Sequence, residues 1–299
     1  MSSLGGCTTN GEIFWRTEDK HVVSLLVDGW FRESSSDHVN VRANKKSILM
    51  GSPGIGKSTL LCVMAFHLVF KHKKNVLVYR RLTNFEEENC LLYLGYEGDK
   101  VVYFSLSSCD ESEAKLIYRV LRGQHGVSNV WLLLDGFRYQ DIPEGVRTFK
   151  MLATSQQVDL KSQDRTYAYC CLLPCWSKKD LWLIGGLIYK YTTENMEERF
   201  YYSGGSVREF TLATSEDIRS AIDDAISGVD DISNLLSNKS STLTGGSQVD
   251  RLRHTFVKDS DDTNQFTTRR CWEQVIDSEY AVLGLSVRIK SDALFRIYT

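Results

Sequence analysis

The chain has 299 residues, enough for one large domain or two smaller ones with a substantial core. Its formal net charge of −2 excludes a broadly basic nucleic-acid-binding protein and leaves only a local patch for such a contact. No apolar stretch reaches the length of a membrane span, and the N-terminus lacks the basic and apolar regions of a signal peptide.

The first part of the chain, residues 1–44, is predicted to be an N-terminal extension that packs against a core. Residues 12–15 and 22–27 are apolar enough to pack, whereas residues 33–37 are polar and predict a loop. A short apolar strand at Ile48–Met50 follows and leads into a glycine-rich stretch.

Residues 51–58 fit the phosphate-loop pattern G-x-x-x-x-G-K-[ST] at every fixed position, between that strand and an apolar helix at Leu60–Phe70. Glycines let the backbone N–H groups surround a phosphate, and the helix N-terminus adds partial positive charge. We expect Lys57 to reach the β- and γ-phosphates and the Ser58 hydroxyl to ligate Mg²⁺. The predicted nucleotide-binding residues are Gly51, Ser52, Pro53, Gly54, Ile55, Gly56, Lys57, Ser58 and Thr59. The alternative is a glycine-rich turn that fits the pattern by chance.

The next segments predict further elements of an α/β fold. Residues 75–79 form the continuous apolar run of an interior parallel strand. Residues 91–95 and 101–104 flank a turn and predict a β-hairpin. Asp110, with an acidic residue three positions later, then resembles the capping box of an amphipathic helix.

A second nucleotide-site residue is predicted at Asp135, which ends the apolar run at 130–134 as a Walker B aspartate does. We expect Asp135 to lie beside the bound Mg²⁺. The alternative is an aspartate that ends a strand without a catalytic role. Gly136 follows at a position where rapidly hydrolysing ATPases often carry a second acid, so slow hydrolysis is expected.

Residues 149–157 predict a strand that ends in polar residues at the same sheet edge. Because ligands of open α/β sheets lie outside the carboxyl ends of the strands, Thr154, Ser155 and Gln156 are candidates to sense the γ-phosphate. The alternative is a capping turn with solvated polar residues. A last strand is predicted at 167–173, ended by Pro174. The cysteine cluster at 170–175 lacks a second pair for zinc, so we expect reduced core thiols.

The segment from 176 to 240 predicts a helical lid. Helical stretches at 177–184, 193–199 and from Thr214 onward surround a stretch at 201–210 that contains paired glycines. Arg208 follows those glycines and could reach the nucleotide; the alternative is an arginine on a solvated face. A polar connector at 237–247 precedes residues 251–299, which end without a polar tail and are expected to begin a further domain.

Six stretches in this order resemble the P-loop NTPase module of Crinkler effectors and of the related retrotransposon hot spot proteins. They are residues 48–58, 92–98, 132–136, 151–155, 172–176 and 202–210. The resemblance covers about residues 45–215, and its most specific part is the Tyr-Ser-Gly-Gly-x-x-Arg-Glu-Phe stretch at 202–210. The phosphate loop itself is common to many proteins.

The resemblance implies a secreted effector that acts in the host cell, typically in the nucleus, with a host protein or DNA as partner. Such modules are often fused to a C-terminal nuclease or kinase-like domain, and no such complete domain is recognised in this chain. The resemblance gives Lys57, Ser58 and Asp135 the nucleotide roles and places Arg208 in the lid motif. No N-terminal translocation header is recognised, which leaves secretion as an expectation from the family alone.

Together these patterns predict an α/β fold: a P-loop NTPase core at 45–175 with a parallel sheet sandwiched by helices, a helical lid at 176–240 and a C-terminal segment at 241–299. The expected ligands are ATP and Mg²⁺, with Lys57, Asp135 and Arg208 as the catalytic residues and Ser58 and Asp135 at the metal. GTP is disfavoured because no Asn-Lys-x-Asp motif follows the strands. We expect slow ATP hydrolysis that switches the lid, with oligomer formation on nucleotide binding a possibility. The alternative is a catalytically silent binding module.

Overall fold

Two units make up the chain: Met1–Met50 with Lys57–Leu172, and Gly51–Gly56 with Leu173–Thr299. The computed structural model describes residues 13–31, 45–81, 89–155, 158, 160, 164–229, 235 and 251–288. The predicted loop at 33–37, Gln156 and the polar connector at 237–247 lie outside these ranges.

A seven-stranded sheet forms the centre of the first unit. Its strands are β1 (Lys46–Met50), β2 (Asn75–Arg80), β3 (Cys90–Glu97), β4 (Lys100–Leu106), β5 (Val130–Asp135), β6 (Met151–Thr154) and β7 (Ala168–Leu172). The strand order is β4-β3-β2-β5-β6-β1-β7. Along this order, the neighbouring strands in β2-β5-β6-β1-β7 are all parallel. β3 is antiparallel to both β2 and β4. The predicted α/β class and the predicted hairpin are confirmed, and the hairpin makes the sheet mixed.

Helices flank this sheet. They are α1 (Thr17–Phe31), α2 (Lys57–His72), α3 (Glu111–His125) and the short α4 (Asp164–Tyr167). α2 is apolar on most sides and packs against four strands, which explains its many buried residues. Asp110 caps α3 by accepting a hydrogen bond from the Glu113 backbone N–H at 2.8 Å, which is the N-cap half of the predicted capping box.

The N-terminal extension contains a full helix, α1, where the sequence predicts only an apolar stretch. Val22 and Leu26 are completely buried, and the Trp30 indole N–H donates to Ser47 Oγ at 2.8 Å. That bond ties the helix to the first residues of β1. The extension therefore contributes to the core of the first unit.

The second unit is mainly helical. It contains α5 (Lys178–Ile184) followed by a π-helical turn (Gly185–Tyr189), α6 (Thr193–Ser203), α7 (Val207–Phe210), α8 (Ser215–Ser227), β8 (His254–Val257), β9 (Trp272–Val275) and α9 (Glu279–Ser286). Hydroxyl side chains cap four of the helices, namely Ser177, Thr192, Thr214 and Ser278. The helices predicted at 177–184, 193–199 and from Thr214 are confirmed.

One apolar cluster joins α8 and α9 to residues that precede β8. Its buried members are Ile218, Ile222, Ala225, Ile226, Val229, Leu235, Leu252, Ala281 and Leu285. Residues 251–288 therefore share a core with the predicted lid. The two compact units divide at 172/173, and the predicted boundary between core and lid at 175/176 stays a prediction. A further domain beginning in 241–299 stays a prediction.

The sequence also predicts that the chain has no membrane span and that its cysteines lie in the core. None of the helices among the described residues is long and apolar enough to cross a membrane. Five of the seven cysteines within the described ranges are buried.

Candidate nucleotide-binding site

The loop at 51–56 is held through two of its backbone carbonyl groups by residues of the second unit. The Trp176 indole N–H donates to the Ile55 carbonyl at 3.0 Å, and the Arg208 backbone N–H donates to the Gly54 carbonyl at 3.0 Å. In both bonds the loop accepts through a carbonyl oxygen, so neither bond uses a backbone N–H group of the loop. Such a loop can present N–H donors to an anion.

The side chains of the loop contribute a further anchor. Ser52 is buried and its hydroxyl donates to the Arg253 carbonyl at 2.9 Å. Gly51 and Ile55 are also buried, whereas Pro53 is half-buried. The loop is therefore shaped by the second unit on its Ser52 side as well as through Gly54 and Ile55.

Two glycines of the loop adopt left-handed backbone angles. Gly54 has φ +78°, and a Cβ there would lie 2.5 Å from Ser206 Oγ and 2.7 Å from Glu209 Oε2. Gly56 has φ +100° with open space around a Cβ, so only its backbone conformation requires glycine. Angles of this kind let successive N–H groups converge on one point, as a phosphate cradle needs.

In the first unit, two predicted residues, Lys57 and Ser58, lie near a third, Asp135. Lys57 and Ser58 open α2, with Lys57 8% exposed and Ser58 and Thr59 half-buried. Ser58 and the charge of Lys57 both act on the Asp135 carboxyl group and lower its pKa, against the effect of burial. The structure thus brings the predicted metal ligands together.

Arg80 is a fourth member of this group that the sequence analysis missed. Its Nε lies 3.1 Å from Asp135 Oδ2, because Arg80 ends β2 directly opposite Asp135 in the parallel register with β5. The signal was available in principle: both residues are polar and end apolar runs. Only the pairing of β2 with β5 identifies the contact.

The electrostatic environment of Asp135 is strongly perturbed. Burial raises the pKa of Asp135, and it outweighs the opposing effects of Arg80, the Ser58 hydrogen bond, Lys57 and the Gly136 backbone N–H. Asp135 is 6% exposed. A buried carboxylate with a raised pKa gains most from a divalent cation, which would favour its ionised form.

Thr154 lies at the end of β6, between the strand that enters the loop and the strand that ends in Asp135. In the sheet register Thr154 is opposite Met50 of β1, and Asp135 is opposite Ala153. Thr154 is 3% exposed. The predicted strand at 149–157 is shorter in the structure, so Thr154 is its last residue and Ser155 lies beyond it.

Gly136 explains why the position after Asp135 holds no second acid. Its φ is +79°, its N–H donates to the Ala153 carbonyl at 3.2 Å, and a Cβ would collide with the Arg81 carbonyl oxygen. Any side chain there would be strained. The turn that follows β5 therefore excludes glutamate by its backbone geometry.

Arg208, the predicted lid arginine, belongs to the second unit together with the loop. Its guanidinium group lies 2.8 Å from Glu209 Oε1, and its side chain is 51% exposed. Arg208 is thus beside Gly54 and paired with a neighbour in sequence, an ion pair that the sequence analysis did not predict. Lys57, Ser58 and Asp135 belong to the first unit.

The residues present fit a Mg²⁺–nucleotide complex. Mg²⁺ is bound in such sites through one or two protein oxygens, with phosphates and water completing its shell. The Ser58 hydroxyl and the Asp135 carboxylate are the two hard oxygen groups that would hold the ion. Within the described ranges no three or more His, Cys, Asp and Glu side chains form an all-protein metal site.

Comparison of the chain with protein-family models and with curated proteins finds no match. The resemblance to the Crinkler module accordingly depends on its motifs alone.

Proposed function

We propose that the protein binds ATP with Mg²⁺ at the loop 51–59 and hydrolyses it slowly, and that the state of the γ-phosphate switches the region 176–240. The observation that carries this proposal is the buried Asp135 carboxylate at the end of β5, on which Arg80, Ser58 and Lys57 act together. A hydroxyl at the start of a helix and an acid at the end of a strand are the two protein ligands that P-loop sites give to Mg²⁺.

The strand order supports the location. β2, the next strand in sequence after β1, lies on one side of β1, beyond β6 and β5. β7 lies directly on the other side of β1. Ligands of open α/β sheets bind outside the carboxyl ends of the strands at such a reversal. The phosphate loop leaves the carboxyl end of β1, at Met50.

Each residue then has a defined role. The backbone N–H groups of the loop and the N-terminus of α2 bind the phosphate oxygens. Lys57 neutralises charge on the β- and γ-phosphates, and Ser58 and Asp135 hold Mg²⁺, which withdraws charge from the same phosphates when bound. Thr154, at the sheet edge between β1 and β5, orients the γ-phosphate or the attacking water.

Slow turnover follows from the turn after β5. Gly136 cannot carry the carboxylate that would polarise water, because its φ of +79° and the nearby Arg81 carbonyl exclude a side chain. The electrostatic part of phosphoryl transfer remains, since it depends on Lys57 and the metal rather than on a base.

Replacement of Lys57 by alanine tests the proposal. We expect Lys57→Ala to lose most of the affinity for Mg²⁺–ATP in calorimetric titration, because the charge that balances the phosphates is removed. Lys71→Ala is the matched control, since Lys71 lies in the last turn of the same helix and is exposed. Affinity equal to that of the parent in folded Lys57→Ala would refute the nucleotide site.

A second candidate function is a catalytically silent nucleotide-binding module. Two observations favour it: Gly136 excludes a second acid, and Arg80 is bonded to Asp135. Steady release of inorganic phosphate distinguishes the candidates. Release that depends on Mg²⁺ and disappears in Lys57→Ala supports the ATPase, whereas stable ATP binding without release supports the silent module.

The cellular role is proposed from the resemblance alone. We place the protein among effectors that are secreted and act in the nucleus of a host cell through a host protein or DNA. A fluorescent fusion expressed in host cells tests this, with the fluorescent protein alone as control. Equal nuclear fractions of the two would remove the support for a nuclear effector.

A further inference from the structure

Two arginines of the second unit share one buried carboxylate. Arg208 Nη2 lies 2.8 Å and Arg251 Nη2 lies 3.2 Å from the same atom, Glu209 Oε1. The other oxygen, Oε2, accepts a hydrogen bond from the Ser206 hydroxyl. Glu209 is 6% exposed, whereas the two guanidinium side chains are 51% and 30% exposed. The carboxylate is enclosed, and the two cations face partly outward.

This arginine pair, Arg208 and Arg251, lies beside the phosphate loop. The Arg208 N–H donates to the Gly54 carbonyl at 3.0 Å. A Cβ at Gly54 would lie 2.7 Å from Glu209 Oε2 and 3.0 Å from Arg208 Cβ. The loop backbone at Gly54 therefore lies close to Glu209 and Arg208. The loop, Glu209 and both arginines belong to the same unit.

The charges of the group do not cancel. Burial raises the pKa of Glu209, but the charge of Arg208, the bond from Ser206 and the charge of Arg251 together lower it below its usual value. One ionised carboxylate between two guanidinium groups leaves one positive charge in excess. Each guanidinium has five N–H donors in a planar fork, and most of those on Arg251 are not used by Glu209.

We propose that Arg208 and Arg251 together bind the terminal phosphate of a nucleoside triphosphate, with Glu209 as the positioning residue for both. This inference rests on the proposed nucleotide site and deepens it. A diphosphate lacks the group that the pair would contact, so the two arginines distinguish ATP from ADP. Arginine suits the role because its fork matches phosphate oxygens two at a time.

The pair also explains how one phosphate could act on distant parts of the sequence. Arg208 lies in α7, and Arg251 directly precedes Leu252 of the apolar cluster that holds α8 and α9. When both guanidinium groups bind a γ-phosphate, their ion pairs with Glu209 change. Only contacts that differ between the ATP and ADP states can shift a conformational equilibrium, and this exchange of partners is such a difference.

Replacement of Arg251 by alanine provides the test, with titration of a non-hydrolysable ATP analogue and of ADP in the presence of Mg²⁺. We expect the affinity for the analogue to fall about tenfold or more, as for loss of a charged hydrogen bond, and that for ADP to stay unchanged. Arg251→Lys keeps the charge without the fork and should lose less. Arg219→Ala is the matched control, because Arg219 lies on α8 with 60% exposure and pairs with Asp223.

Glu209→Gln tests the positioning role with a side chain of the same size. It should reduce the ratio of analogue affinity to ADP affinity while both nucleotides still bind, a readout that mere destabilisation would not produce. If this variant does not fold, Arg251→Ala decides alone.

The outcomes separate the two proposals. A parent chain that binds neither nucleotide overturns the nucleotide site and this inference together. A parent that binds both, combined with an Arg251→Ala variant that keeps the full ratio or weakens both nucleotides equally, overturns this inference only.

Discussion

Asp135 is a single residue whose surroundings disfavour its own charge. It is almost fully buried at the end of β5, and its partners Arg80 and Ser58 do not offset the burial that raises its pKa. In the absence of a cation the ionised form is therefore disfavoured in the folded chain. Protein groups arranged in this way are typical of binding sites rather than of optimised cores.

The pH dependence of stability follows from that shift. Between the ordinary pKa of 3.8 and the raised pKa of folded Asp135, the folded chain binds more protons than the unfolded chain, so this residue makes stability fall as the pH rises. Asp135→Asn removes this contribution. We expect the free energy of unfolding of Asp135→Asn, relative to the parent, to increase from pH 4 towards neutral pH.

Urea unfolding without Mg²⁺ and nucleotide, repeated across this pH range, measures the effect. Asp141→Asn is the matched control because Asp141 is 50% exposed and 3.9 Å from Arg138. A difference between Asp135→Asn and the parent that does not change with pH would contradict the raised pKa. The same variant should lose its response to Mg²⁺, since the amide supplies no charge to the metal.

Gly54 is a second residue whose identity is determined by geometry. Gly54→Ala should destabilise the chain by about 1 kcal/mol or more and weaken ATP binding, because φ is +78° and the methyl group would meet Ser206 and Glu209. Gly186→Ala is a suitable control, since a Cβ at Gly186 meets nothing within 4 Å and its φ is not positive. Thermal unfolding and ATP titration of both variants check the expectation. Equal behaviour of the two would show that the loop tolerates a side chain.

Among the elements, the joint at Gly204 and Gly205 is more constrained than its sequence indicates. Paired glycines before Arg208 predict a flexible joint. In the structure the Gly205 N–H donates to Asp277 Oδ2 at 2.8 Å, and its carbonyl accepts from the Trp176 N–H at 3.0 Å. Asp277 is bonded in turn to His254 of β8. The segment between α6 and α7 is thus anchored on both sides.

Asp277→Ala should release this anchor. We expect faster hydrogen exchange at the Gly205 amide, because its acceptor is removed, while the amides of α8 remain protected by the apolar cluster. Asp223→Ala, which removes an exposed carboxylate of α8, is the control. If the Gly205 amide exchanges equally slowly in Asp277→Ala, the joint is held by other contacts.

The elements themselves were largely predictable because their signals are local. Continuous apolar runs indicate β1, β2 and β5, and an acid or hydroxyl before an apolar stripe indicates the starts of α3 and α8. The end of β6 was predicted too late, since polar residues after a strand give no sharp stop. α1 was missed because its buried positions include the charged Asp19 and the small Gly29, so they form no continuous apolar stripe.

At the scale of the whole molecule, convergence of distant segments is what the sequence does not reveal. All buried parallel strands look alike as apolar runs, so their order could not be deduced. Arg80 becomes a partner of Asp135 only through the pairing of β2 with β5. Arg251 likewise meets Glu209 only after the chain has returned from α8. The glycine-rich loop at 51–56 was predictable as a loop because its pattern is contained in one short stretch, and phosphate binding there stays a prediction.

The order β5-β6-β1-β7 also has a consequence for synthesis. β1 is made first among the strands, but both of its neighbours, β6 and β7, leave the ribosome much later, whereas β2, β3 and β4 can pair as soon as they emerge. Pairing between segments far apart in sequence delays folding, because a large loop must close first. β1 therefore gains its first neighbour only after Thr154 has appeared, and its second only after Leu172. On the proposed function, ATP that binds only the folded loop would stabilise the sheet once β6 and β7 are in place, and the ligand would thereby assist maturation.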